Sequence, residues 1–302
     1  MNPVHGDASR NRGMVQLKLV NYISGGSGHC GLVAPEGVRE VHIGGSDGPL
    51  SPSSAAILHG IVTGKRGIGE MEYPAAPPVD ETSLKLLPCI TNPGRVLCVG
   101  LNYRRHAAES GMPVPEFPVV FGKFSDCVAA SGDPVPIPPG SSMVDYEAEL
   151  GIMIGSDAFR VPEQDALDSV LGYFCANDVS ARDFQLRTSQ WLLGKTCENF
   201  CPVGPYMVTA DEVPDPDSLR IGASLNGRPV QDSSTGDMIF SCASIVSFIS
   251  GHIRLHPGDI ILTGTPEGVI LGKPEGERAW LRHGDSVSVT IEGLGTLSNE
   301  FV

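Results

Sequence analysis

The chain has no apolar run approaching the roughly 18 residues that a membrane-spanning helix needs. It is also short of positive charge. Its 302 residues carry 21 Lys and Arg against 35 Asp and Glu, a formal charge of −14 at pH 7. A chain this acidic lacks the cationic footprint that releases phosphate counterions, so nucleic acid and anionic membrane surfaces are excluded as expected partners. The opening Met1-Asn2-Pro3-Val4-His5-Gly6-Asp7 has no basic segment followed by an apolar core, and no secretory leader is expected. No disulfide framework is visible either. The eight cysteines are scattered, several within apolar runs such as Val96-Leu97-Cys98-Val99, which suits reduced buried thiols and a cytoplasmic location. Cys197 and Cys201 are the closest pair, but they lack the second pair or nearby histidine of a zinc site. Also missing are a P-loop, a G-x-S-x-G elbow and any repeat period. Hydrophobic residues at 41% and charged residues at 19% are ordinary for a globular protein. A chain of this length buries roughly three quarters of its unfolded surface, so its core needs no staple.

Glycine (37) and proline (25) punctuate the whole length, which predicts short elements and many turns. Residues 1–13 are polar and expected to fray. Alternation predicts a strand from Val15 to Ile23, and Ser53–Thr63 reads as a short helix. The Pro-rich passage Tyr73–Val79 reads as a linker. A boundary between about residues 73 and 92 would separate a small accessory domain (1–90) from a larger second domain (91–302). Downstream, strands are expected at Gly94–Gly100, Pro118–Phe121, Val144–Ile154 and Tyr173–Asp178. Helices are expected at Tyr103–Ser110, from Pro162 through Ala166, Leu167, Val170 and Leu171, and at Ser241–Ser250. The two similar units His256-Pro257-Gly258-Asp259 and Arg282-His283-Gly284-Asp285 each lead into a strand. Strands outnumber helices without regular alternation, which predicts an α+β, mostly β fold and argues against a doubly wound sheet. Gly26-Ser27-Gly28-His29-Cys30-Gly31 matches the dinucleotide pattern, but Pro35 follows where a helix would have to open. A glycine hairpin loop is the expected reading.

Four segments could carry chemistry. In Val144–Ile154, period-2 alternation puts Tyr146, Ala148, Leu150, Ile152 and Ile154 on one face and Asp145, Glu147 and Glu149 on the other. Adjacent carboxylates repel unless a cation lies between them, so this face is either a site for a hard divalent ion or the solvated outside of an edge strand. Asp178, in Asn177-Asp178-Val179-Ser180-Ala181-Arg182-Asp183, ends an apolar strand, as a ligand or as turn chemistry. Lys195, in Trp191-Leu192-Leu193-Gly194-Lys195, is either a functional cation or a snorkelling side chain. If Tyr103–Ser110 is helical, His106 and Glu109 lie at i and i+3. They would then be an oriented general base or an ordinary surface pair.

In order and spacing, these segments resemble the fumarylacetoacetate hydrolase family. The similarity runs through Val99-Gly100-Leu101-Asn102-Tyr103 with His106 and Glu109, Asp145–Leu150, Asn177–Asp183, Gly194-Lys195, Gln231–Thr235, Asp237–Phe240 and Leu262–Val269. The resemblance implies a roll of mixed β-sheets with a small N-terminal part, usually assembled as a homodimer. It implies Glu147, Glu149 and Asp178 as ligands of Mg²⁺ or Mn²⁺, with Lys195 beside the metal. His106 and Glu109 would lie on a lid that supplies the base. Thr265 would hold a substrate carboxylate or keto oxygen. Arg182, Gln185 and, as a pocket residue, Lys123 would contact substrate or its neighbours. The implied activity is hydrolysis of a carbon–carbon bond in an acylpyruvate or related diketo acid, as in aromatic catabolism. Decarboxylation of an oxaloacetate-like acid and isomerisation of a 2-hydroxy-diene-dioate are alternatives in the same site. A non-catalytic scaffold would have no reason to keep such a cluster.

Overall fold

A computed structural model describes residues 17–302. The polar start and the first residues of the expected Val15 strand lie outside the described residues. The principal strands, in chain order, are β1 (Lys18–Ser24), β2 (Ser27–Ala34), β3 (Gly37–Glu40), β4 (Val96–Gly100), β5 (Val119–Lys123), β6 (Ala148–Ile154), β7 (Val170–Asn177) and β8 (Tyr206–Thr209). They continue with β9 (Arg220–Leu225), β10 (Arg228–Ser234), β11 (Ile260–Leu262), β12 (Ser286–Ile291) and β13 (Gly295–Glu300). Nine of these form one mixed sheet in the order β3-β2-β1-β8-β7-β6-β11-β4-β5, in which only the β11–β4 pair is parallel. A smaller antiparallel sheet runs β10-β9-β12-β13. The result is an α+β fold dominated by β-structure, as the strand pattern predicts.

Both faces of the large sheet are covered, so its central strands read as continuous apolar runs. Leu150, Ile152, Tyr173 and Cys175 pack toward Ile221, Val287, Val289 and Leu297 of the small sheet and toward Ile245 and Ile249 of the helix Cys242–His252. Met153 and Phe174, which alternate with these, and Leu171, skipped where the β6–β7 register shifts, pack on the opposite side with Leu19, Leu32, Leu50 and, from the helix Pro52–Val62, Ala55 and Leu58. The hairpin β1–β2 turns on Gly25 and Gly26, at φ of 58° and 86°, and enters a strand at Ser27. That is the glycine hairpin expected in place of a dinucleotide loop.

Two expectations require correction. Val144–Ile154 is not one strand. Val144–Asp145 pairs with Ser180–Ala181, and the ladder resumes at Ala148. Between them side chains capture the backbone donors: Tyr146 N–H donates to Asp145 Oδ1 (2.9 Å), Glu147 N–H to Asn177 Oδ1 (3.0 Å) and Ala148 N–H to Gln231 Oε1 (3.0 Å). The carboxylates therefore do not lie on a solvated edge, because β6 is central and wholly buried. The helix expected from Pro162 is a 3₁₀ segment, Glu163–Ser169, and Val170 and Leu171 open β7 instead. The eight buried residues of Val170–Asn177 include β-branched and aromatic side chains that fit a doubly covered strand better than a helix stripe. Among the described residues no helix is long and apolar enough to cross a membrane.

Candidate active site

The register of two strands assembles the acidic group. Ala148 of β6 faces Asn177 of β7, so the residues just outside that pair, Glu147 and Asp178, are neighbours, and Asp178 N–H donates to Glu147 O at 2.9 Å. Glu149 lies one pair inside. Thirty residues of sequence separation thereby close into a group in which one carboxylate oxygen from each of Glu147, Glu149 and Asp178 lies within 4.8 Å of the others. All three residues are buried.

Cations crowd the same place. Lys195 ends a short helix, Leu192–Lys195, and its Nζ donates to Glu147 Oε2 (2.6 Å) and Asp178 Oδ2 (2.8 Å). Gly194 allows this approach. A β-carbon there would come within 2.6 Å of Ala181 O and Gln185 Cα, on the helix Arg182–Gln185. Arg182 donates from Nε to Asp145 Oδ2 (2.9 Å), from Nη2 to Glu147 Oε1 (2.6 Å) and from Nη1 to Gln185 Oε1 (3.0 Å). Burial alone would raise the Glu147 carboxyl, but Arg182 and Lys195 hold it well below the usual carboxylate range. Glu149 goes the other way. Burial, then the carboxylates of Asp178 and Glu147, push it well above that range. Its hydrogen-bond donor is Gly264 N–H at 2.8 Å, and no ammonium or guanidinium reaches it among the described residues.

Lys123 sits behind Asp178, away from the cleft wall. Its ammonium donates to Asp178 Oδ1, to Val179 O (3.1 Å) and to Phe200 O (2.7 Å), so all three donors are used inside the protein. Burial favours its neutral form, yet the Asp178 carboxylate keeps it protonated above the ordinary lysine range.

Above the acidic group lies a cleft of about 400 Å³, at the small end of the range for small-molecule sites. Its polar lining includes His106, Glu109, Glu147, Glu149, Arg182, Gln185, Lys195 and Thr265, and its apolar lining includes Leu101, Phe121, Leu186 and Trp191. His106 and Glu109 stand on the short helix Arg104–Glu109, with His106 Nδ1 3.3 Å from Glu109 Oε2. Glu109 also accepts from Gly268 N–H at 3.1 and 3.2 Å, which fixes it as the acceptor. In a neutral imidazole that arrangement puts the proton on Nδ1 and leaves the lone pair on Nε2.

Several supporting groups lie beyond the site residues expected from sequence, Asp145 among them although the strand pattern puts its carboxylate on the acidic face. Gln231 donates to Thr265 Oγ1 (3.0 Å) and Pro266 O (2.9 Å) while accepting from Ala148 N–H. Asn102 donates to Thr263 O (2.7 Å) and Phe240 O (3.1 Å). Asp145 accepts from Ile270 N–H (2.9 Å) and Leu271 N–H (3.0 Å). Gln231 and Asn102 fall inside runs already singled out, but nothing in their spacing reveals which backbone groups they bridge.

Three buried carboxylates, one of them without a cation, form an oxygen donor set that suits a hard divalent ion such as Mg²⁺ or Mn²⁺. Residues 95–302 match the family model described as fumarylacetoacetate (FAA) hydrolase C-terminal. The chain is 36% identical over 301 residues to the human mitochondrial oxaloacetate tautomerase FAHD2A, covering 97% of this chain and 93% of that one. Among solved structures it is similar to the 2-hydroxyhepta-2,4-diene-1,7-dioate isomerase from Mycobacterium marinum (31% identity, TM-score 0.76, 95% and 98% of the two chains). It is also similar to a fumarylacetoacetate hydrolase from Exiguobacterium antarcticum (28% identity, TM-score 0.75, 94% and 98%). Matched over two thirds of its length by the family model and aligned nearly end to end with these relatives, the chain belongs to the fumarylacetoacetate hydrolase family.

Proposed function

We propose that this chain is a divalent-metal-dependent enzyme that interconverts the keto and enol forms of a 2-oxo acid, with oxaloacetate the first substrate to test. The observation that carries the reading is that an oriented imidazole, His106, lines one cleft with Glu147 and Glu149, which group with the buried Asp178 behind them. The names of the human and mycobacterial relatives, a tautomerase and an isomerase, support proton transfer without bond cleavage.

In this reading Glu147, Glu149 and Asp178 hold Mg²⁺ or Mn²⁺. Once bound, the ion supplies a Lewis acid beside the substrate's 2-oxo group. Glu109 holds His106 in the tautomer whose Nε2 is free to take a proton from the carbon next to the keto group. The C–H electron pair then becomes the carbon–carbon double bond, the carbonyl π pair moves onto the keto oxygen, and the same nitrogen returns its proton to that oxygen. Lys195, held between Glu147 and Asp178, places a fixed positive charge where the oxygen becomes negative. Thr265 and Gln185, with Arg182 holding Gln185 in place, bind the substrate carboxylate. Lys123 secures Asp178 from behind.

Hydrolysis of an acylpyruvate is the second reading. The His106–Glu109 pair could equally deprotonate water, and the Exiguobacterium relative is named as a hydrolase. Enol decay of oxaloacetate and cleavage of acetylpyruvate, each followed with added Mg²⁺, separate the two. The expected result is rapid enol decay with little cleavage, and a loss of about 10²- to 10⁴-fold in His106→Ala. Cleavage of acetylpyruvate at the higher kcat/KM would make the chain a hydrolase. Indifference to Mg²⁺ would sink both readings.

A further inference from the structure

Arg278 lines the same cleft as Glu147, Glu149, His106 and Lys195. It sits on the segment from Gly268 to Leu281, which is fixed at both ends to the chain that carries the acidic group. At the start, Gly268 O accepts from Tyr146 Oη–H (2.9 Å), and the N–H groups of Ile270 and Leu271 donate to Asp145. At the end, Leu281 N–H donates to Val144 O at 3.0 Å. The middle rests on the base pair of the site: a β-carbon on Gly272 would lie 2.5 Å from Glu109 Oε2. Arg278 is thus held on a strap whose distance from the acidic group is set by hydrogen bonds.

The guanidinium itself is only half engaged. Nε donates to Lys273 O at 2.8 Å, which orients the group. No Asp or Glu oxygen lies within salt-bridge range of it among the described residues, whereas the cleft's other arginine and its lysine, Arg182 and Lys195, are both bound to carboxylates. Charge balance says what the free fork should meet. Asp145, Glu147, Glu149 and Asp178, with Glu109 on the cleft wall, stand against Lys123, Lys195 and Arg182, five negative charges against three positive. A divalent ion only neutralises that set, so a substrate that brings a carboxylate beyond the one beside the ion needs a further cation. A planar guanidinium can receive it in a bidentate contact.

We infer that Arg278 is the anchor for the distal carboxylate of the substrate, so that the site selects 2-oxo dicarboxylates over 2-oxo monocarboxylates. This rests on the metal-dependent reading above and narrows its substrate class. The residue is a specificity determinant and takes no part in moving the proton.

The test uses two probes of equal chain length that rest in the keto form and so show no net turnover, 2-oxoglutarate and 2-oxopentanoate, which differ in a terminal carboxylate against a methyl group. Each is titrated calorimetrically into the Mg²⁺-loaded full-length protein. The wild type is expected to favour 2-oxoglutarate by about tenfold or more. Arg278→Gln should bring the ratio near one, and Arg278→Lys should restore part of it. Thermal melting of each variant shows whether the strap survives. No preference in the wild type overturns the inference, as does a preference retained in Arg278→Gln, or equal weakening of both acids by that variant. Enol decay of oxaloacetate is read separately. A preference lost in Arg278→Gln, in a protein without that activity, upholds the anchor and removes the tautomerase reading.

Discussion

Glu149 is the residue at which the site's electrostatics are least balanced. Glu147 and Asp178 share Lys195, Asp178 adds Lys123, and Glu147 adds Arg182, but Glu149 meets a single backbone N–H. A buried carboxylate beside two others is destabilising unless neutralised. The substitution Glu149→Gln keeps the shape and removes the repulsion. In chelator it is expected to raise the melting temperature by about 2–3 °C, corresponding to roughly 1 kcal/mol in a chain of this size. In excess Mg²⁺ the order should reverse, because the wild type gains stability from binding and the variant loses a ligand. Paired thermal melts with and without Mg²⁺ check both halves. A variant that melts lower in chelator would show that Glu149 is already compensated by something other than a metal.

At the scale of elements, close packing of two very short helices sets the position of Lys195. Arg182–Gln185 and Leu192–Lys195 touch through Gly194, where there is no room for a methyl group. Gly194→Ala is therefore expected to cost about 1–3 kcal/mol of stability through overpacking. It should also lower kcat more than it raises KM, because Lys195 is displaced. Urea unfolding together with steady-state kinetics reads the two effects, and a stable variant with wild-type kcat would remove the constraint. Neither helix is legible in the sequence. Four residues are too few for a periodic signal, and only the lysine beside tryptophan and leucines hints at a function. Longer or capped elements were readable: the helix Cys242–His252 starts where Ser241 Oγ accepts from Ser244 N–H (3.1 Å). The twin units at Gly258 and Gly284 share a left-handed glycine and an Asp whose carboxylate accepts a backbone N–H three residues back. The misread elements failed for tertiary reasons. Val170 and Leu171 fit a helix stripe locally, but two covering layers make them strand. The break at Tyr146–Glu147 depends on Asn177 and Gln231, about 30 and 83 residues away. The fold class and the side chains that meet at the cleft were legible, because strand-rich runs and quoted carboxylates, histidine and lysine carry a pattern even when their geometry is set by distant partners.

At the scale of the whole molecule, the family model begins at residue 95, yet the sheet does not. Strand β1 pairs with β8 through Lys18↔Val208, Leu19↔Met207 and Val20↔Tyr206. The core on one side of the large sheet joins Leu19, Cys30, Leu32, Leu50, Ala55 and Leu58 to Met153, Leu171, Phe174 and Leu262. A polar tie crosses the same boundary: His59 Nε2 lies 2.9 Å from Asp168 O, just before β7. Deleting residues 1–90 would leave β8 with an open edge and strip the apolar cover from β6 and β7, the two strands whose register creates the acidic group. Exposed strand edges and large apolar faces drive association. The chain 91–302 is therefore expected to aggregate, or to remain soluble only without a cooperative melt, and to show no Mg²⁺-dependent stabilisation. Gel filtration, near-UV dichroism and Mg²⁺ titration of the truncated chain test this. A monodisperse fragment that melts cooperatively and binds Mg²⁺ like the full chain would prove the first ninety residues dispensable, and would place the origin of the site's geometry entirely within the matched segment.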